Sequence, residues 1–539
     1  MYCTTIVHAD GPSFVLHQLT LFILHPSLSF EIVQHLPLTD ATLLSLTQVC
    51  STWRQIITGD PKLWRQFTLS PRKNIYPSQI KFGQQWLQRA SPYGLDITID
   101  DSFVRPSPYN LLKVVAPFYR KWRTLQLSLS FDSFKPLFGM NKLELPMLEE
   151  VSLNMFFKHG ENVLPLGKRL IKTFAAAPLL QCVQVSAEGH SLPLLDYTFF
   201  PYQRLTKLVL VNVISTDPVV ITQILALATN LESAELDMGD QSALDYEDLE
   251  GDEWKTRYDS YRKRRSNATC HKLVDLSLVC RNNFEIDFVL DILRAPALQE
   301  LKLYNHWRDP RVADVLKDFQ ERSKAPLRVL HLIRFRNFHL GFRLVPFLKL
   351  VGETLQELLY DFLDGERNQT QETIDLLIFP HYIGEFPGTG GEPFDPLLPN
   401  LKRLGIALDY SCPEYADVLV DVVASRGYAL DMDPECSDPS VLDSMVFPGY
   451  RLGNWLKEHR LEEFMVFFDD PQDDPALDDL KEQLEDFTER EVDALQMACC
   501  KDWTRAAPYW LAAESLMAGS RVFGFDSVRG DESPLDTTP

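Results

Sequence analysis

Leucines recur along the middle of the chain with a fixed local spacing. The pattern Leu-x-x-Leu-x-Leu puts apolar residues at alternating positions, as expected for the buried face of a β-strand. Clear copies begin at residues 148, 205, 273, 298, 327 and 401, and weaker copies begin at residues 122, 180, 231 and 355. Successive copies mostly lie 25 to 32 residues apart, which leaves room for one strand and one helix per unit.

Proline-containing turns and helical spacers separate these copies. Several copies follow a turn such as Ala-Pro-Leu or Leu-Pro-Asn. The spacer 217–229 begins with Asp-Pro, which favours the first turn of a helix, and the spacers 311–323 and 343–352 are similar. Because one unit cannot bury its own apolar face, neighbouring units are expected to stack. Residues 116–430 are therefore predicted to form an α/β fold: a leucine-rich-repeat-like curved solenoid with a parallel sheet and outer helices. A different α/β fold with the same pattern is the alternative.

A second pattern, near the N-terminus, predicts three short helices between residues 26 and 68. The first, near 28–35, ends at Leu36-Pro37, because the residue before proline disfavours helical backbone. The second carries apolar residues at helical spacing over residues 43–53, and Gly-Asp-Pro at 59–61 makes a stop and a restart. About forty residues cannot bury so many large apolar groups alone. A partner, or the rest of the chain, must cover some of them.

This N-terminal segment resembles an F-box over residues 24–70. It has the Leu-Pro pair, the Val-Cys-x-x-Trp-Arg helix and the closing Leu-Trp of that family, although the usual opening Leu-Pro-x-Glu is replaced by Leu24-His25-Pro26-Ser27. The resemblance implies a short all-α module that docks its apolar side chains on a Skp-type adaptor and, through it, on a cullin. The residues that the resemblance assigns to adaptor binding are Pro26, Leu28, Ile32, Leu36, Pro37, Leu43, Leu46, Val49, Cys50, Trp53, Ile56, Leu63 and Trp64.

The resemblance implies a substrate-recognition subunit of an SCF-type (Skp–cullin–F-box) ubiquitin ligase, with an unknown protein substrate bound by the repeats. The divergent repeats are similar to those of the F-box families of mushroom-forming fungi. The irregular opening leaves a second hypothesis: a non-catalytic leucine-rich-repeat scaffold with a degenerate F-box. A third is an enzyme whose site is assembled from distant residues. Because the sequence has no H-E-x-x-H, G-x-S-x-G, Walker A or G-x-G-x-x-G motif, we expect no catalysis, no cofactor and no metal.

The residues between the leucines are expected on the opposite face of the predicted sheet. This set is mixed in charge and rather acidic. For any single residue a solvated surface is the simpler interpretation, whereas the set as a whole is the best candidate for a substrate surface. The residues assigned to substrate binding are Glu235, Asp237, Asp275, Glu300, Lys302, Tyr304, His331, Glu357 and Arg403.

The rest of the chain divides by composition and pattern. The insert 238–269 holds an acidic stretch and then Arg-Lys-Arg-Arg at 262–265. This basic cluster is typical of a nuclear-import signal, of a site for an acidic partner or of an ordinary solvated segment. The other predicted segments are an unassigned N-terminus at 1–23, a linker or N-terminal cap of the solenoid at 71–115, a second insert at 363–397, an acidic helical C-terminal cap at 431–527 and a disordered tail at 528–539.

Charge and cysteine usage narrow the function further. The formal net charge is −22, so general nucleic-acid binding is not expected. The 9 cysteines are scattered and form no Cys-x-x-Cys pair, as in proteins that keep reduced thiols in the cytoplasm or nucleus. The apolar run at 13–33 lacks the positively charged residues of a signal peptide, because no Lys or Arg occurs before Arg54, and it is short and interrupted for a membrane span. We therefore expect no membrane partner and a cytoplasmic or nuclear location.

Overall fold

The computed structural model describes residues 47–48, 50–69, 77–90, 93–100, 111–138, 144–156, 172–188, 200–211, 218–237, 267–280, 283–305, 312–333, 340–361, 397–408, 422, 446–447, 450–451 and 463–468. The chain divides into two compact units. The first comprises residues 1–156 and 170–180, and the second comprises residues 157–169 and 181–539. Both are of mixed α/β type with parallel strands.

The first unit contains four strands that pair in parallel and in chain order. These strands are β1 Gln66–Leu69, β2 Leu95–Asp100, β3 Trp122–Ser130 and β4 Glu150–Phe156. The helices described in this unit are α1 Ser51–Gly59, α2 Pro77–Arg89, α3 Leu112–Val115 and α4 Lys135–Phe138. Short 3-10 turns lie at Pro61–Trp64, Ala116–Lys121, Phe131–Phe134 and Lys172–Phe174.

The second unit is built on a longer parallel sheet. Its strands are β5 Cys182–Glu188, β6 Lys207–Val211, β7 Ser233–Asp237, β8 Ala268–Thr269, β9 Asp275–Cys280, β10 Leu293–Arg294, β11 Glu300–Asn305, β12 Val329–Ile333, β13 Glu357–Asp361, β14 Arg403–Leu408, β15 Val446–Phe447, β16 Tyr450–Arg451 and β17 Glu463–Phe468. The sheet order is β5-β6-β7-β9-β11-β12-β13-β14-β17, all parallel. Separately, β8 pairs with β10, and β15 pairs with β16.

Helices lie between several of these strands, where the spacers predicted them. The helices described in the second unit are α5 Pro218–Leu227, α6 Asn283–Ile292, α7 Val312–Ser323 and α8 Leu340–Val351. Three of them fall on the predicted spacers, and α5 has proline at its first position as expected. None of the helices in the described ranges is both long and apolar enough to span a membrane.

The leucine pattern produces the strands. Each of the ten predicted copies coincides with a strand, from β3 to β7, at β9 and from β11 to β14. Every apolar residue of these copies is buried, and none is more than 5% exposed. Burial of an aliphatic side chain contributes about 1.5–3 kcal/mol, so these rows supply much of the core. The predicted parallel strands are confirmed.

A repeated backbone contact fixes the register between strands. The carbonyl of Thr206 accepts hydrogen bonds from the consecutive N–H groups of Glu232 and Ser233, at 2.8 and 3.0 Å. Six further carbonyls in the second unit each accept from two consecutive N–H groups at the start of the next strand, and they belong to Gln181, Glu232, Val274, Gln299, Arg328 and Gln356. The same offset at each step brings leucines into common rows across the sheet.

Strands also occur outside the predicted array. In the first unit they begin at Gln66, before residue 116, and in the second unit β17 lies beyond residue 430, where a helical cap was predicted. The strands β1 and β2 lack the leucine that precedes the other copies, and β17 is a nearly continuous apolar run. The four-residue β1 and the apolar run of β17 carry too little periodicity to separate a short strand from a helix, whereas β2 alternates apolar and polar residues over Leu95–Asp100 and was missed because it lies outside the leucine pattern. Of the two predicted inserts, the structure describes only residues 267–269 and 397. Of the predicted C-terminal cap and tail, it describes only residues 446–447, 450–451 and 463–468.

The buried rows can be tested with one matched pair of leucines in the second unit. Leu330 is fully buried on β12, whereas Leu350 on α8 is 45% exposed. Replacing Leu330 by alanine removes buried methyl groups and leaves a cavity, so we expect the unfolding free energy to fall by about 2–5 kcal/mol. Urea unfolding followed by tryptophan fluorescence measures this as a lower midpoint. Leu350→Ala should shift the midpoint far less, and equal shifts would contradict the assigned core.

Candidate functional sites

The N-terminal helical segment ends in a buried aromatic junction. Trp64 closes the 3-10 turn after α1 and is 0% exposed. Its indole Nε1 donates to the carbonyl oxygen of Ile57 at 2.8 Å. Its ring meets that of Trp86 on α2 edge to face, with centroids 4.5 Å apart. Trp64 therefore ties the end of α1 to the helix that follows β1.

Trp86 completes this junction from the other side. Its Nε1 lies 3.0 Å from the carbonyl oxygens of both Trp64 and Gln66 and donates to them. The guanidinium of Arg89, one turn along α2, stands 4.6 Å from the centroid of the Trp64 ring, a cation–π distance. Gln66 is the first residue of β1. The Trp86 side chain therefore links the helical segment to the sheet of the first unit.

The turn between α1 and Trp64 follows the predicted stop signal. The helix α1 ends at Gly59, and Asp60 Oδ1 accepts a hydrogen bond from the backbone N–H of Lys62 at 2.9 Å. Pro61 occupies the first position of the 3-10 turn, where its missing N–H costs nothing. The Gly-Asp-Pro sequence thus ends α1 and begins the turn at whose end the Trp64 side chain is buried.

The predicted adaptor residues fall into four groups. Cys50, Ile56 and Leu63 are half-buried and keep part of their surface available. Trp64 was also assigned to the adaptor contact, but its side chain is in the interior of the first unit, because Trp86, 22 residues further along, covers it. Trp53 lies on α1. Pro26, Leu28, Ile32, Leu36, Pro37, Leu43, Leu46 and Val49 lie outside the described residues.

An F-box-like family model matches residues 26–70. This range agrees with the predicted module to within two residues at its start, and it supports an F-box protein with an adaptor role in ubiquitin-ligase complexes. F-box domains generally bind Skp-type adaptors and are typically non-catalytic. The comparison with curated proteins gives no significant match.

The predicted substrate residues lie on one face of the sheet in the second unit, which we call the charged face: Glu235, Asp237, Asp275, Glu300, Lys302, Tyr304, His331, Glu357 and Arg403. They come from six neighbouring strands in register. Glu300 stands opposite Asp275, and Glu357 stands opposite Arg403. Glu235 and Lys302 lie in the same row as Ser277, one residue pair further along the strands.

One part of the charged face is a compact, charge-paired group around Glu357. Its Oε1 accepts from Nε2 of His331 at 2.7 Å, and its Oε2 accepts from Arg403 at 2.7 Å. The Glu357 side chain is only 9% exposed. Burial alone would raise the pKa of Glu357, but the His331 hydrogen bond and the nearby charges of His331, Arg403 and Lys302 outweigh it and lower this pKa. Both carboxylate oxygens are thus occupied.

The other part, on β7, β9 and β11, has more negative than positive charge. Lys302 Nζ donates to Glu300 Oε2 at 2.8 Å and lies 3.7 Å from Asp275 Oδ1. These partners raise the pKa of Lys302 despite its partial burial, which acts in the opposite direction. Asp275 Oδ2 accepts from the hydroxyl of Ser233 at 3.2 Å. One lysine therefore neutralises two carboxylates here.

Glu235 is the exception on this side of the charged face. It is half-buried, and among the described residues it forms no hydrogen bond or ion pair. Burial raises its pKa, Asp275 and Asp237 raise it further, and Lys207 and Lys302 oppose them. An ionised carboxylate without a direct partner is poorly stabilised in such a place.

Tyr304 and Asp237 are almost fully buried, at 4% and 1% exposed. Burial raises the pKa of the Tyr304 hydroxyl, and the nearby charges of Glu235 and Asp275 raise it further. Their burial limits what a large partner can contact directly. Within the described ranges, His, Cys, Asp and Glu side chains are nowhere grouped in threes as metal ligands would be.

The sequence alone did not single out Trp86 or Ser233. Trp86 belongs to a stretch interpreted as a linker. Its contact with Gln66 joins residues that are 20 positions apart in the sequence, and only the folded structure shows it. Ser233 is an ordinary polar residue at a strand start, and its contact with Asp275 spans 42 residues. Neither contact has a local signature in the sequence.

The junction can be tested by removing the indole donor of Trp86. In Trp86→Phe the carbonyls of Trp64 and Gln66 lose a buried donor, so the unfolding free energy should fall by about 1–3 kcal/mol. Urea denaturation with circular dichroism detection measures it. Gln85→Ala, at an exposed position of the same helix, is the control. Equal stability of Trp86→Phe and wild type would show that the junction does not hold the segment.

The Glu357 group predicts a pH-dependent stability. A lowered pKa means that folding favours the ionised carboxylate, so its contribution is present above the ordinary glutamate value of 4.5 and is lost as the pH falls through the lowered pKa. We expect Glu357→Gln to destabilise the protein by about 3 kcal/mol near neutral pH. The difference from wild type should shrink in acid. Thermal melts across this range test it, with Glu321→Gln on the exposed side of α7 as control. A difference independent of pH would contradict the ion pairing.

Proposed function

We propose that this chain is the substrate-recognition subunit of an SCF-type ubiquitin ligase. The F-box-like match at residues 26–70 is the observation that carries the proposal. In this role the segment binds a Skp-type adaptor and, through it, a cullin. The chain makes no bond itself. It raises the concentration of a protein substrate close to the enzyme that transfers ubiquitin.

The half-buried apolar residues support the docking of a partner on the described part of the segment. Cys50, Ile56 and Leu63 keep part of their surface, while Trp64 and Ile57 are enclosed. A buried anchor beneath a partly exposed apolar rim is a suitable base for helix-in-groove binding. On this proposal, Trp64 supports the docking surface from below rather than contacting the adaptor.

The sheet of the second unit is the proposed substrate-binding part, and we propose a leucine-rich-repeat-like organisation for it. The paired N–H bonds to the carbonyl before each strand recur seven times with the same offset, from Gln181 to Gln356. Within the described residues, the helices α5 to α8 lie between strands of this sheet, and one leucine pattern occurs in each predicted repeat. The charged face then presents polar residues from successive repeats to one partner. Such a ligase subunit is expected in the cytoplasm, the nucleus or both.

Co-expression with a Skp-type adaptor tests the proposed function. The full chain should co-purify with the adaptor, and the double variant Leu46→Ala, Trp53→Ala should lose most of this binding, because apolar anchors carry the affinity of such docking. Size-exclusion chromatography and calorimetry measure the complex.

Leu350→Ala, an exposed apolar change on α8 of the second unit, is the control and should bind like the parent. A folded parent that does not bind the adaptor would reject the ligase role. It would favour the alternative, a repeat scaffold with a degenerate F-box.

A further inference from the structure

We propose that two copies of this chain associate through β17, the last strand of the sheet in the second unit. In this dimer, β17 of one copy pairs antiparallel with β17 of the other, and the two sheets become continuous. The association does not require the adaptor or a substrate, and it therefore goes beyond the proposed function.

One edge of β17 is available for pairing. Its six residues, Glu463–Phe468, pair in parallel with Arg403–Leu408 of β14. Within the part of the chain that the structure describes, no strand pairs with the other edge. A strand at the edge of a sheet presents a row of backbone N–H and C=O groups to its surroundings, and this row is a template for another strand.

The composition of β17 does not protect this edge. Its sequence, Glu-Phe-Met-Val-Phe-Phe, contains no proline, glycine or lysine, and it is apolar after the first residue. By contrast, β1, which begins the sheet of the first unit, has only four residues, exposes Gln66 and Thr68, and is followed by Pro-Arg-Lys at 71–73. Short length, proline and lysine discourage edge pairing, whereas an uncharged apolar run of six residues promotes it. β17 is therefore suited to a strand partner.

Charge selects one antiparallel register of β17 with itself. A two-fold axis at Met465 places this residue opposite its own copy. Glu463, the only charged residue of the strand, then lies opposite Phe467 of the second copy. An axis at Val466 would instead place Glu463 opposite Asp469, which follows the strand in the sequence. Because two carboxylates facing each other across a strand pair repel, the register centred on Met465 is favoured.

The same axis preserves the two faces of the sheet. A two-fold axis between antiparallel strands is perpendicular to the sheet, so residues that face each other across it belong to the same face. Phe464 and Val466 share the rows of the core residues Leu404 and Ile406, whereas Met465 shares the row of Gly405 on the opposite face. The leucine rows of one copy thus continue into those of the other.

A second copy is the occupant that this edge fits best. It supplies an identical apolar edge, and one isologous contact covers both edges and closes the assembly at two chains. Because the axis is perpendicular to the sheet, the charged faces of both copies lie on the same side. On the proposed function, such a dimer presents two substrate surfaces together, and a substrate that contacts both gains affinity through effective concentration.

Sedimentation equilibrium of the full chain tests the association. The wild type should have twice the 61.9 kDa mass of one chain. Met465→Lys places two ammonium groups opposite each other at the axis, and Met465→Glu places two carboxylates there. Each variant alone should therefore weaken the dimer at least about tenfold. An equimolar mixture of the two variants pairs opposite charges and should restore the dimer, which a merely structural role of Met465 would not produce.

Matched controls come from an exposed leucine of the same unit. Leu350 on α8 is 45% exposed, so Leu350→Lys and Leu350→Glu should keep the mass of the wild type. Circular dichroism melts establish that each variant is folded.

Deuterium exchange of the wild type needs no variant. The backbone amides of Glu463–Phe468 should exchange more slowly at high than at low protein concentration, whereas those of the interior strand β12 should not change.

The proposal is overturned if the wild type has the mass of one chain at all concentrations. Slow exchange of β17 in such a monomer would show that another segment of this chain covers the edge, and fast exchange would leave the edge open to a strand of a different protein. A dimer that persists in both folded Met465 variants would place the contact elsewhere. Failure of the mixed variants to associate, or exchange of β17 that does not depend on concentration, would also reject the pairing.

Discussion

The fold depends on stacking the leucine rows in a single register. A lone strand such as β11 would expose Leu301 and Leu303, and both are fully buried in the sheet. The neighbouring strands β9 and β12 supply Leu276 and Leu330 in the row of Leu301, and Leu278 and Leu332 in the row of Leu303. The doubled N–H bonds to the carbonyl before each strand hold this offset. A shift of one residue would turn every leucine to the opposite face. The apolar pattern and the backbone contact therefore specify the same alignment, and neither is sufficient alone.

The charged face is a consequence of that register. Once the leucines point inward, the residues between them must line up, so Glu300 comes to stand opposite Asp275. Like charges directly across a strand pair are unfavourable. Lys302, two residues after Glu300 on the same face, offsets this repulsion by pairing with both carboxylates. Glu357 opposite Arg403 is favourable without further help. The burial of the leucines fixes which charged residues are neighbours on this face, and each pair of strands then has its own arrangement of charges.

The sequence predicted what is periodic and missed what is not. The leucine spacing located ten strands and the residues of the charged face, because alternation along a strand is a local property. It did not predict which charges pair, since His331 meets Glu357 across 26 residues and only the register decides it. It also placed Trp64 on the adaptor surface. An apolar residue at the end of a helical pattern is equally suited to a partner or to the chain itself, and only the fold shows that Trp64 is buried against Trp86.

The buried Trp64 changes how the F-box-like segment relates to the rest of the first unit. Five residues separate Gly59, the end of α1, from Arg65, the residue that precedes β1, and Trp64 within them is held by Ile57 on one side and by Trp86 on the other. Trp86 also donates to Gln66, so the same indole restrains the first residue of the sheet. A flexible linker would let the helical segment rotate freely. Here the side chain that ends the segment is part of the core of the unit that follows, so α1 and β1 are oriented by one shared set of buried contacts.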